Sequence, residues 1–211
     1  MSRLFPERLV IHLASLDAIE GLQIPRRCSV TVILSNRFVR YAVIPWSDAL
    51  ATPAEEEAYV RHHFVKIHGE RAKTWLLRWS ESRPGAPRLA SAVDAALIEA
   101  LRKRFPKGAK AQLASVQPQL MNKFNEWRGF IPAQGAWLVL AEPERACVAL
   151  QVEGRWRTVQ NGREPWLELL ERTRYRVNDT DPGALPDRVL LGGAPPPGAP
   201  VGRWQFVAGL P

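Results

Sequence analysis

The sequence predicts an α/β (α+β) fold with mixed sheets. Two observations carry this. Short β-branched runs alternate with amphipathic helical segments, and strand runs joined by tight turns recur in each half. The chain has 211 residues, 46% hydrophobic and 24% charged, which is enough to bury a core without disulfide staples. Wholesale disorder is excluded on that composition. No run approaches the roughly 18 apolar residues that a membrane span needs. The opening MSRLFPERLVIHL breaks its apolar residues with charges and carries no small-residue cleavage site, so a cytoplasmic location is expected.

Residues 8–13 (RLVIHL) read as a short strand, and Pro25 closes the loop after it. Residues 28–35 (CSVTVILS) form a Val/Ile-rich strand, and Ser35-Asn36 offers a tight turn into 37–45, which is expected to return antiparallel as a hairpin. In 37–45, Phe38, Arg40, Ala42 and Ile44 share one face, while Arg37, Val39, Tyr41 and Val43 share the other. Neither face is purely polar, so both are expected to be covered.

Thr52-Pro53-Ala54-Glu55 opens a helix. Thr52 caps, Pro53 suits the first helical position, and Glu55 completes a capping box. That helix should stop at Gly69, with Ala54, Ala58, Phe64, Val65 and Ile67 on its apolar stripe. Residues 74–80 and 88–92 read as strands, and a second helix spans about 94–105. A strand at 111–116 leads to Pro118, which opens a third helix ending near Gly129. Three runs, 136–142, 146–152 and 155–160, are joined by Pro143-Glu144-Arg145 and Glu153-Gly154 as an antiparallel meander. Pro165 opens a short fourth helix to about Arg172, 188–192 is a strand, the Pro/Gly tract 192–200 is a loop, and 203–207 is a last strand.

The formal charge is +8, and of 29 basic residues 23 are Arg. Their dispersed placement favours a compositional origin over an anionic partner. One dense cluster, Arg102, Lys103, Arg104, Lys107 and Lys110, is the candidate anionic-partner patch, although its first three members also offset the dipole at a helix end. Cys28 and Cys147 lie beside strand runs and read as buried, inert thiols. His62, His63 and His68 share a helix but not a face, so no metal site is expected. Glu55-Glu56-Glu57 fits the first turn of a helix electrostatically. No nucleophile-elbow, zinc-protease, dithiol or phosphate-loop motif occurs. Trp75 and Trp79 share a strand face, which is either core or a binding surface.

The element order carries a resemblance over roughly 28–162. VTVILSNRFVRYAVIP leads into an acidic-started helix. APRLASAVDAALIEALRKRF and AQLASVQPQLMNKFNEW follow, then AWLVLAEPERACVALQVEGRWRTVQ. This order resembles the cytoplasmic actin-like proteins of type IV pilus and type II secretion platforms, the PilM-like, MshI-like and GspL-like proteins. The resemblance implies a degenerate actin-like (ribonuclease H-like) fold with a small inserted subdomain. Residues 1–27 with 106–135 would form the first core half, 28–105 the inserted α/β subdomain, and 136–211 a truncated second core half.

ATP-binding members of that family hold phosphate with an Asp-x-Gly loop between the first two strands of each half. Here the matching turn is Leu140-Ala141-Glu142-Pro143-Glu144-Arg145, which has no glycine and two carboxylates. Backbone amides cannot approach a triphosphate closely there, and Glu142 and Glu144 would repel it. The stretch at 8–21 holds Asp17 but no Asp-x-Gly. The resemblance with these departures implies a pseudo-ATPase: a non-catalytic scaffold without cofactor or metal, docking to a segment of an inner-membrane partner. It would be cytoplasmic, peripheral at the inner membrane at most, with homodimer formation left open. Arg37, Arg40 and Trp46 are the candidate protein-binding residues. The alternatives are an ATP-binding ATPase of the same machinery and a basic nucleic-acid-binding module, the latter disfavoured by the dispersed charge.

Overall fold

A computed structural model describes residues 7–17, 21, 27–180, 183–192, 202–207 and 210. Pro25 and most of the Pro/Gly tract at 192–200 lie outside these residues. The described residues form three sheets and four α-helices.

The first sheet holds β1 (Glu7–Leu13), β2 (Cys28–Leu34) and β6 (Ala111–Pro118) in the order β1-β2-β6, all parallel. This corrects the hairpin expected from Ser35-Asn36. β2 does not pair with the strand that follows it. Its continuous apolar run (CSVTVIL) is buried or half-buried throughout, the pattern of a central parallel strand covered on both faces. The Ser35 amide continues the β1 pairing by donating to the Leu13 carbonyl at 2.9 Å. A unit boundary at residue 28 therefore falls inside this sheet.

The chain leaves β2 into a small sheet ordered β3-β5-β4: β3 (Val39–Ile44), β5 (Arg88–Asp94) and β4 (Trp75–Trp79), antiparallel throughout. α1 (Pro53–His68) covers one face. Its start is the expected capping box, in which the Glu55 amide donates to Thr52 Oγ1 at 3.3 Å and the Thr52 amide donates to the Glu55 carboxylate at 2.9 Å. The buried stripe is narrower than the spacing suggested. Val60 and Phe64 are buried, whereas Ala54 and Ala58 are exposed and Ile67 is 61% exposed. Trp75 and Leu77 are buried under this helix with Trp79 packed beside them, so the tryptophan pair is core. Val39 and Tyr41 point to the opposite, larger core, so both faces of β3 are covered as expected.

α2 (Ala95–Arg104), capped by Asp94, leads back to β6, and α3 (Gln119–Trp127) follows without a break. Trp127, 1% exposed, packs against the second half. At Gly192 a Cβ would lie 2.8 Å from its ring and 2.9 Å from Leu140 Cδ2, so this close approach needs glycine.

The second core sheet has five strands in the order β11-β10-β7-β8-β9. β7 (Ala136–Glu142), β8 (Arg145–Val152) and β9 (Arg155–Gly162) are the expected meander, and β10 (Arg188–Gly192) and β11 (Gln205–Phe206) add in parallel on the other side of β7. Glu144 and Glu153-Gly154 take positive φ in the two tight turns. α4 (Trp166–Thr180) packs Leu169, Leu170 and Val177 onto β7 and β8. It runs two turns past the expected end near Arg172. Thr173 stays within the helix by donating to the Leu169 carbonyl at 2.6 Å, and Val177 extends the buried stripe. No described helix is long and apolar enough to cross a membrane.

Candidate functional site

The carboxyl ends of β1, β2 and β7 meet at one junction between the two core sheets, the end of an α/β sheet where ligands bind. The turn after β2 supplies Ser35 and Asn36, and the end of β7 supplies Glu142. The Glu142 carboxylate accepts hydrogen bonds from the Ser35 hydroxyl, from the Asn36 backbone amide at 3.1 Å and from the Asn36 side-chain amide at 2.6 Å. Asn36 is fully buried. Its side-chain carbonyl accepts from the Tyr41 hydroxyl at 2.8 Å, and its backbone carbonyl accepts from the Asn161 amide at 2.7 Å. Asn161 also donates to the Val39 carbonyl at 3.0 Å and accepts from Arg145 at 2.9 Å. Burial raises the Tyr41 phenol well above its ordinary pKa, so it remains a donor. The network joins both core sheets and the small sheet, and its buried polar groups are satisfied by one another.

A carboxylate thus occupies the donors that an anionic ligand would take at this corner. An incoming phosphate would have to displace Glu142 and meet its charge. The cavity beside it, lined by His12, Ser35, Arg37, Gln119, Glu142 and Pro143, measures about 190 Å³. That is below the roughly 300 Å³ at which small-molecule pockets begin. Among the described residues, β1 pairs in parallel with β2 and forms no hairpin with it.

Two larger grooves flank the small sheet. One, of about 500 Å³, lies between Leu76 and Val93 of that sheet and Leu113 and Val116 of β6, with Arg78 and Arg102 on its rim. The other, of about 520 Å³, holds Arg37, Arg40 and Arg71. The candidate protein-binding residues are therefore split. Arg37 and Arg40 share a groove, whereas Trp46 sits past the other end of β3, donating to Asp48 at 2.7 Å with its ring 5.2 Å from the Arg88 guanidinium.

The basic cluster is split too. Arg102 lines the first groove, Arg104 lies 5.5 Å from the Phe105 ring, and Lys110 lines a separate depression with Arg27. Arg102, Lys103 and Arg104 close the last turn of α2, while Lys107 is exposed beyond it. His63 packs against Tyr59, and His68 against Phe64 and Trp75. Burial lowers the pKa of both, with His62 adding to the shift at His63 and Arg40 adding to it at His68. Among the described residues no group of three His, Cys, Asp or Glu side chains is placed to hold a metal ion.

Sequence reasoning singled out Glu142 by its charge and by the lack of glycine around it. It missed the partners of Glu142, because Ser35 and Asn36 read only as a turn. Arg71 carried no signal, since it sits in a short 3₁₀ turn, Glu70–Thr74, after α1.

No protein-family model matches the sequence, and neither does any curated protein. Solved structures do match. One is a protein of unknown function with an actin-like ATPase fold from Bacteroides thetaiotaomicron, at 10% identity and a TM-score of 0.51 over 80% of this chain and 61% of that one. Another is the cytoplasmic domain of EpsL, an inner-membrane component of the type II secretion system of Vibrio cholerae, at 12% identity and a TM-score of 0.53 over 86% of this chain and 69% of that one. A third is a PilM–PilN type IV pilus biogenesis complex, at 16% identity and a TM-score of 0.50 over 80% of this chain and 62% of that one. The chain spans less than two thirds of the length of the first and third. With one parallel, one antiparallel and one mixed sheet, a parallel run in each core half and these likenesses, the chain has an actin-like fold.

Proposed function

We propose that the chain is a non-catalytic scaffold of a type IV pilus or type II secretion-like machine. It works at the cytoplasmic face of the inner membrane and docks a segment of an inner-membrane partner. The observation that carries this reading is the Glu142 corner, where the donors that an anion would need are taken by a carboxylate of the chain itself. The likeness to EpsL and to the PilM–PilN complex supports the setting. The units we propose are 7–34 with 106–135 as the first core half, 35–105 as the inserted subdomain and 136–210 as the second core half. Relative to a boundary at residue 28, this keeps β2 with its sheet partners. Arg37 and Arg40 belong to the docking surface, and Trp46 holds the far end of the small sheet.

Isothermal titration calorimetry with Mg-ATP tests the absence of nucleotide chemistry. The expected result is no saturable heat. Binding with a micromolar Kd would overturn the scaffold reading in favour of an ATPase of the same fold.

A further inference from the structure

We propose that the groove bounded by the segment after β1, the end of the small sheet and α2 captures an acidic, apolar-flanked peptide segment of a partner protein, gripped by Arg37, Arg40 and Arg71. The proposal rests on the docking role above and adds the place and the chemistry of the occupant.

The charge in the groove is one-sided. Three guanidinium groups line its volume of about 520 Å³. The acid in its lining, Asp94, has its carboxylate committed to the Ala96 amide at 2.9 Å as the cap of α2. Glu144 comes within 3.9 Å of Arg37, but its side chain is 88% exposed, and a pair that long and that wet is worth little. Each arginine is instead anchored on backbone carbonyls: Arg37 on Ala14 at 3.2 Å, Arg40 on Arg37 and Val39 at 3.1 Å, and Arg71 on His68 at 3.1 Å. Carbonyl anchoring fixes the forks in position without neutralising them. Among the described residues, most of their five N–H donors each remain uncommitted. Burial, reinforced by Arg145 and Arg71, lowers the Arg40 pKa, as expected where positive charge accumulates without a counterion. A carboxylate entering here relieves that repulsion and can accept a bidentate pair.

The rest of the lining selects the kind of anion. Leu16, Phe38 and Leu97 give the groove an apolar wall beside the arginines. A free phosphate makes no use of such a wall, whereas an acidic side chain flanked by apolar residues fills both parts. A nucleic acid would want an open aromatic face for its bases. The aromatic ring beside the arginines, Trp75, is buried and faces Arg71, whose guanidinium lies 5.8 Å from it.

Selection from a random-peptide phage library, with the full chain as bait, tests this. Enriched peptides are expected to carry Asp or Glu next to apolar residues. In fluorescence anisotropy, a synthetic copy should bind the Arg37→Glu/Arg71→Glu variant about ten-fold or more weaker than the wild type, and its Asn/Gln version should lose as much against the wild type. If that variant melts early by circular dichroism, Arg71→Gln, which alters one exposed side chain, replaces it with the same expectation. Peptides that lack acidic residues, or that bind wild type and variant alike, would put docking elsewhere; they overturn the groove and leave the scaffold reading standing. Recovery of no peptide overturns the groove. A saturable thermal shift with sodium phosphate at constant ionic strength, lost in the same variants, would make the ligand a phosphate and overturn the peptide assignment. None of these outcomes depends on the Mg-ATP titration.

Discussion

Each core half contains a run of three parallel strands in chain order, β1-β2-β6 in the first and β7-β10-β11 in the second. The halves differ in what lies beyond the leading strand. β7 is flanked by β8 and then β9, and Ala136 to Leu140 are all buried. β1 has no neighbour on that side among the described residues, and Val10 is 53% exposed. The meander therefore does more than bury area. It creates the turn at Glu142, which reaches the turn that leaves β2. The junction is asymmetric as a result: the second half presents a carboxylate, and the turn leaving β2 presents the hydroxyl and amides that receive it.

Side-chain truncation in the two leading strands should separate the halves most strongly. Leu138→Ala, in the strand covered on both sides, is expected to lose about 2–5 kcal/mol of unfolding free energy. Val10→Ala, on the uncovered edge, should lose less than about 0.5 kcal/mol. Similar losses in urea unfolding would show that β1 is covered in solution.

The next largest effect concerns the junction. Glu142→Ala strands the buried donors of Ser35 and Asn36 and should lose about 1–3 kcal/mol. Glu144→Ala, two residues on and exposed, should lose no more than about 0.5 kcal/mol. If the two variants melt together, the corner does not hold the halves.

A smaller loss, about 1 kcal/mol, is expected for Thr52→Ala at the start of α1. Because that cap lies in the inserted subdomain and shares no partner with Glu142, the double variant should be additive. The cap also has a pH signature. The Ala51 and Thr52 amides and the Thr52 hydroxyl hold the Glu55 carboxyl below its ordinary pKa. A lowered folded pKa means that this contribution is present above the ordinary carboxylate range and is lost as the pH falls through the lower value. Glu55→Gln should flatten that part of the acid-unfolding curve, and an unchanged curve would remove the capping box from the account.

The smallest effect is expected for the cysteines. Cys28 in β2 and Cys147 in β8 are both buried, and burial raises the Cys147 thiol far above its ordinary pKa. Iodoacetamide at pH 8 should leave both unmodified by mass spectrometry until the protein is unfolded. Alkylation of Cys28 alone in the native state would show the first sheet opening independently of the second.

Much of this architecture is legible locally. The capping box at Thr52-Pro53-Ala54-Glu55 places the start of α1, and the two short turns fix the β7-β8-β9 meander, because the decisive contacts span a few residues. The pairing of β2 was not legible. A Val/Ile run before Ser35-Asn36 suits a hairpin strand and a central parallel strand equally, and its actual partners lie across long connections that leave no local mark. Among the described residues, five strands stand in the second core sheet against three in the first.

The helix starts, the meander turns and the acidic, glycine-free corner at Glu142 can be read along the chain alone, since each follows from neighbouring side chains. Long-range packing brings Glu142 to Ser35 and Asn36, more than a hundred residues away, and sets Arg71 with Arg37 and Arg40 around one groove. The reason is that apolar burial fixes which faces pack but not which partner they meet. Charged and polar groups acquire their neighbours only after non-local strand pairing has set the register.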